Sequence, residues 1–220
     1  MNVKSRLPQY KTEEVAQQIA CGVTSGVHLG TRRIFVVGEI QEALGARFGI
    51  VFRALDSTEG PIYITLNSPG GSIDQGFAIF DIIKLSNNPV VIDVVGVAQS
   101  IAVVILQAAD RRRASPESRL LVHQGRLFPS QDSFAADELK DHGRELARNN
   151  ERVYRTLSEG SKGKLTIEEV IELCKKDTYF SAAEAFKYGL IDEVLQPTKQ
   201  VVVALKRRPA QRARRSGKRK

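Results

Sequence analysis

Between residues 34 and 95, short runs of β-branched and other apolar residues alternate with longer stretches in which apolar residues recur every three or four positions. No other feature constrains the chain as strongly, because strands separated by helices pair in parallel and leave few ways to build a core. The runs 34–37 (IFVV) and 62–66 (IYITL), bounded by Gly and Pro, predict strands, and 41–56 predicts the helix between them. A second helix is predicted over 74–85, where Phe77, Ile79, Phe80, Ile82 and Ile83 keep helical spacing. The run 90–95 alternates poorly and predicts a strand buried on both faces. Beyond it, 101–109 predicts a buried helix, 120–123 a short strand, and 132–157 a long polar helix with a sparse apolar seam. Thr166 with Glu169 and Ser181 with Glu184 are capping boxes that mark two further helix starts, the second helix stopping at Gly189 before the apolar stretch 190–195. The fold class is α/β, assembled from repeated ββα or βα units without internal sequence repeats.

The chain has 220 residues, 42% of them hydrophobic, which is enough for one domain with its own core. No apolar run approaches the roughly eighteen residues that cross a bilayer; the best candidate, 94–106, is interrupted by Gly96, Gln99 and Ser100. The first residues carry charge and no apolar stretch, so the expectation is no secretory signal and a cytoplasmic or equivalent reducing compartment, such as an organelle stroma. Cys21 and Cys174 are then read as buried or half-buried thiols. His28, His123 and His142 lie far apart and make no metal-ligand spacing, so neither metal nor cofactor is expected. The net charge of +8 is concentrated in residues 206–220, KRRPAQRARRSGKRK, which hold nine Lys or Arg and no acid. That segment is expected to be a disordered tail. A role in binding nucleic acid through counterion release is weighed against a solvated extension without a partner, and the latter is preferred.

Four places invite a chemical reading. Asn67-Ser68-Pro69-Gly70-Gly71-Ser72 lies between a predicted strand and a helix. Adjacent glycines there permit a backbone N–H to face open space and serve an oxyanion, although most such turns are only turns. Ser100, in Gly96-Val97-Ala98-Gln99-Ser100, falls at the start of an apolar helix, where the bland reading is an N-cap. His123 ends a short strand, where an imidazole is usually structural but is also the commonest base for a serine hydroxyl. Asp177 precedes the capped helix and is either a loop acid or the group that orients the imidazole. Together they form the constellation of acyl transfer, for which sequence order is no obstacle.

The segments RRIFVVGEI, IYITLNSPGGSIDQGFAIFD, GVAQS, SRLLVHQ and DTYFSAAEAFKYGLIDEVL, taken in order, resemble the ClpP family, the proteolytic subunits of ATP-dependent Clp proteases, over about residues 32–195. The resemblance implies a ClpP/crotonase-like fold with a protruding handle helix, starting at about Asp132, through which two rings meet. It implies heptameric rings of this chain or a paralogue, stacked to a tetradecamer, that degrade unfolded polypeptides delivered by a Clp-family AAA+ unfoldase. By motif, the nucleophile falls on Ser100, the base on His123 and the acid on Asp177. The oxyanion N–H groups fall on Gly71 and Ile101. The implied organisation is an N-terminal segment over 1–30 in the axial-pore region, a serine peptidase domain over 31–200, and the basic tail over 206–220. Gly160-Ser161-Lys162-Gly163-Lys164 fails the phosphate-loop pattern, so ATP would be used by the partner.

The chain also departs from the family pattern. Ile101-Ala102 replaces the usual Met-Gly after the nucleophile, and a β-branched side chain there is expected to crowd the oxyanion donor. Gln124-Gly125-Arg126-Leu127-Phe128-Pro129 replaces the proline and glycine-rich strand that registers substrate. Residues 24–30 differ from the usual lead into the first strand. These departures sustain an alternative, a non-catalytic structural or regulatory subunit like the ClpR paralogues. A crotonase-type acyl-CoA enzyme is the remote third possibility.

Overall fold

The computed structural model describes residues 26–126 and 136–196. Eight strands form one sheet among these residues: β1 (Val27–His28), β2 (Arg33–Val37), β3 (Ile62–Ser68), β4 (Val90–Gln99), β5 (Arg111–Ala114), β6 (Arg119–Val122), β7 (Thr178–Ser181) and β8 (Glu193–Val194). Six helices accompany them: α1 (Glu42–Asp56), α2 (Ile73–Lys84), α3 (Ile101–Leu106), α4 (Ala136–Gly160), α5 (Ile167–Cys174) and α6 (Ala182–Lys187). The α/β class follows, and the sheet runs β1-β2-β3-β4-β5-β8, with β6 paired to β4 and to β7.

The expected strand–helix alternation is present from β2 through α3. Ile34 and Val36 of β2, Ile62, Ile64 and Leu66 of β3, and Ile92 and Val94 of β4 all point into one core, which Phe48 and Phe52 of α1, Phe77 and Ile79 of α2, and every residue of α3 complete. Both capping boxes form, at Thr166 and at Ser181. Phe77 also carries the Arg152 guanidinium of α4 over its ring at 3.8 Å, a cation–π contact that ties α4 to α2.

The structure departs from the sequence reading at β4, β5 and β7. β4 is not buried on both faces: Val95 is 47% exposed, and so on the same outer face are Val37 and Phe35 of β2. Its irregular pattern comes instead from Asp93, whose carboxylate is shielded by Arg33 at 2.8 Å and Arg113 at 2.6 Å. β5, three arginines and an alanine, carries no hydrophobic alternation and was not foreseen as a strand. It forms because each arginine has an acid opposite: Arg111 with Glu193, Arg112 with Asp192 and Arg113 with Asp93. β7 was likewise missed, since its last residue, Ser181, doubles as a helix cap. The N-terminal segment up to residue 25, the start of the expected handle helix and the basic tail lie outside the described residues.

Candidate active site

Strand register brings the four chemical motifs to one edge of the sheet. β3 and β4 run parallel, as do β4 and β6, so their C-terminal ends emerge side by side, the usual place for a site in a parallel sheet. Gln99 pairs with Leu121 at the last rung between β4 and β6, and the Ser100 N–H donates to the Leu121 carbonyl at 2.8 Å. Ser100 therefore steps off the sheet beside Val122, one residue before His123. β6 and β7 run antiparallel with Val122 opposite Thr178, so the next rung would set His123 opposite Asp177. Three residues separated by as many as 77 positions are thus each one step past the end of a shared ladder.

Ser100 holds the N-cap position of α3 but not the role of a side-chain cap. Its hydroxyl makes no capping bond, whereas Ser72, Thr166 and Ser181 all cap their helices. Its backbone stands at φ 55° and ψ −127°, a conformation that costs a non-glycine residue of order 1–3 kcal/mol. Strain of that size persists only where the surroundings impose it. Here the imposing neighbour is the Gly70-Gly71 turn. A Cβ on Gly70 would lie 2.7 Å from the Ser100 Cβ, and one on Gly71 would lie 2.3 Å from the Ile40 carbonyl oxygen. With φ at 147° Gly71 also sits where L side chains rarely go. Two glycines are the condition for the turn to fit between Ile40 and the serine. Asn67 supports the same corner, its Oδ1 accepting the Val97 N–H at 3.1 Å across the bulge where β4 slips against β3.

The feared crowding by Ile101 does not occur. Its side chain is 2% exposed and folds away from the cavity onto Gly76 of α2. The Ile101 N–H is the first of α3 and has no carbonyl one turn back to bond. Of the two oxyanion positions read from the resemblance, Gly71 lines the same cavity as Ser100, and Ile101 follows the serine in the chain with its side chain turned onto Gly76.

Gly71, Ser100, His123 and Arg126 line one open cavity of about 420 Å³ together with Asp74 of α2 and Glu145 and Leu146 of α4. Asp177 is not among the residues that line it. Its carboxylate is held by the Arg126 guanidinium, a half-exposed pair. His123 Nδ1 is buried and bonds to nothing. Burial lowers the pKa of the imidazole, the Arg126 charge lowers it further, and the Asp177 charge and the Gln124 backbone oppose both. The serine and the base are brought to one cavity, and the acid is brought near but bonded elsewhere. Arg126 escaped the sequence reading because nothing in its spacing couples it to Asp177, 51 positions away.

A Clp protease family model matches residues 18–198. The chain belongs to the Clp protease family. This Clp protease chain is 34% identical over 172 residues to ATP-dependent Clp protease proteolytic subunit 1 of Chlamydia muridarum, covering 76% of the chain and 88% of that protein. It is 36% identical over 172 residues to proteolytic subunit 3 of a Synechococcus strain, covering 76% and 84%. To proteolytic subunit 2 of Treponema denticola it is 33% identical over 180 residues, covering 79% and 86%.

Among the other described residues neither the buried thiol nor any acidic or histidine group makes a second chemical centre. Cys174 is buried, and desolvation pushes its thiol up to about 12, far from a reactive thiolate. Cys21 lies outside the described residues. Among the described residues no three His, Cys, Asp or Glu side chains group as a metal set, and no helix is long and apolar enough to cross a membrane.

Proposed function

We propose that this chain is a serine endopeptidase, the chamber-forming subunit of a Clp-type protease. The observation that carries the reading is Ser100, held at a positive φ with its hydroxyl unbonded, on the wall of a cavity it shares with His123 and Gly71. A strained serine that caps nothing is better explained by attack than by packing.

In this reading Ser100 Oγ adds to the scissile carbonyl while His123 takes its proton, and His123 then delivers that proton to the leaving amine. The Gly71 and Ile101 N–H groups hold the negative oxygen of the tetrahedral intermediate. Asp177 steadies the imidazolium. A water, activated by the same imidazole, releases the acyl group and restores the serine. No cofactor takes part, and ATP would be spent by an AAA+ unfoldase that feeds unfolded chains into rings of this subunit or of this subunit mixed with a paralogue. The work would be done in the cytoplasm or an equivalent reducing compartment.

The test is labelling by a serine-reactive fluorophosphonate, followed by intact mass, beside the Ser100→Ala variant. It needs nucleophile, base and oxyanion donors but no unfoldase. A single adduct, absent from Ser100→Ala, is the expected outcome. A second reading, the ClpR-like structural subunit, is favoured by one observation: His123 Nδ1 has no partner while Asp177 is bonded to Arg126. Wild-type protein that stays unlabelled both alone and in a mixed ring would establish it.

A further inference from the structure

The ladder that aligns His123 with Asp177 stops one residue short of joining them. Val122 pairs with Thr178, and beyond that rung the imidazole Nδ1 is buried without a partner while the carboxylate meets Arg126. The arginine is placed to intercept it. Arg126 follows His123 by three residues, lines the same cavity as Ser100, and carries a fixed cation that no pH accessible to the folded chain removes. We propose that Arg126 is a positioning residue that holds the site at rest, by competing with His123 for the carboxylate of Asp177. The inference rests on the peptidase reading above.

The competition is one between two arrangements of a single carboxylate. With Asp177 on Arg126, the imidazole has no group to fix its tautomer or to stabilise the cation it becomes when it takes the serine proton. With Asp177 on His123 Nδ1, the buried nitrogen gains the acceptor that it lacks. Magnitude decides how firm the resting state is. The two side chains are 53% and 42% exposed, and an ion pair that open to water biases an equilibrium by no more than about fivefold. Arg126 is therefore a brake and not a block, and an occupant that fills the cavity and draws on the guanidinium frees the acid. Other titratable groups lining the cavity with His123 are Asp74 at the start of α2, Glu39 ahead of α1, and His142 and Glu145 on α4. Of the surrounding charges, it is Arg126 and Asp177 that act on the imidazole, in opposite directions.

The experiment measures the rate of fluorophosphonate labelling of the full chain across a pH series, for the wild type, Arg126→Gln, Arg126→Lys, Asp177→Asn and the double variant Arg126→Gln/Asp177→Asn. Arg126→Gln should label Ser100 about two- to fivefold faster, with its acid limb displaced to higher pH, because losing the cation and freeing the carboxylate both favour the imidazolium. Arg126→Lys keeps the charge and should stay near wild type. In the Asp177→Asn background the gain should vanish, which a merely structural effect of the arginine would not produce. A thermal melt of each sample checks that it is folded, and Arg126→Ala serves as a second removal of the guanidinium. Wild-type labelling with no acceleration and no shift in Arg126→Gln overturns the proposal and leaves the peptidase reading intact. Failure of every variant to label would sink both.

Discussion

Gly76 of α2 makes room for Ile101: a Cβ on the glycine would sit 2.0 Å from the isoleucine Cγ1. The pairing explains how a β-branched residue can follow the candidate nucleophile without obstructing it. Its bulk goes into the core between two helices and does not line the cavity of Ser100. Gly76→Ala forces Ile101 to move, and overpacking of this kind costs about 1–3 kcal/mol. The expected result is a lower midpoint in a urea melt together with at least tenfold slower labelling of Ser100. Gly76→Ala/Ile101→Ala, which gives back the volume, should recover part of both, since contacting residues couple.

Ser100→Ala removes the attacking atom, and turnover of an unfolded polypeptide by the assembled protease should fall by a factor on the order of 10⁴ to 10⁶. In free-energy terms that is roughly 5 to 8 kcal/mol of transition-state stabilisation. The fold should survive, because the hydroxyl bonds to nothing in the described structure. A drop of less than tenfold would mean that another residue is the nucleophile.

Gly71→Ala tests the turn directly. The added carbon would meet the Ile40 carbonyl oxygen at 2.3 Å in a backbone conformation unsuited to alanine, and neither atom is a flexible chain end. Labelling should be lost beyond detection while the far side of the sheet, followed by hydrogen exchange in β5 and β8, keeps its protection. Protection lost throughout would show that the glycine serves folding alone.

The pH profile should carry the signature of a depressed base. Burial and Arg126 lower the pKa of His123 below its ordinary 6.5, so the imidazole remains neutral, and able to accept a proton, at a pH where a free histidine is already charged. The acid limb of kcat/KM is expected below pH 6.5, with activity lost as pH falls through the pKa of the folded protein. A limb at or above 6.5 would assign the base elsewhere or place Asp177 on the imidazole already in the free enzyme.

Arg112 is the largest side chain buried in the core, 2% exposed, and it donates to Asp192 Oδ1 at 2.7 Å, to the Gly160 carbonyl at 2.6 Å and to Gln107. Arg112→Met strands these acceptors and should cost about 3–5 kcal/mol in a denaturant melt. Burial opposes the Asp192 charge, yet the Arg112 and Lys162 bonds hold its carboxyl well below the ordinary 3.8. A depressed carboxyl stabilises the fold above its unfolded value and loses that contribution as pH falls through the folded one. Acid unfolding should therefore steepen below about pH 4, and Asp192→Asn should flatten that dependence.

How much of this was legible in the sequence follows from the range of the forces involved. Strand–helix alternation from β2 to α3 and both capping boxes are local, set by side-chain periodicity and by bonds spanning three residues, so the sequence alone determined them. Family membership was legible too, because several short motifs keep their order and distance. β5 was not legible, since its arginines become strand residues only when Asp93, Asp192 and Glu193 arrive from elsewhere. The fate of Ile101 was misjudged for the same reason, because the glycine that accommodates it lies 25 positions earlier on another helix. The sequence named Ser100, His123 and Asp177 as candidates, and only the β4–β6–β7 register determined that they emerge at adjacent strand ends. That Asp177 bonds to Arg126 instead of the imidazole was decided by tertiary structure alone, because a charge pairs with whichever opposite charge the folded backbone brings within reach, and linear spacing does not encode that distance.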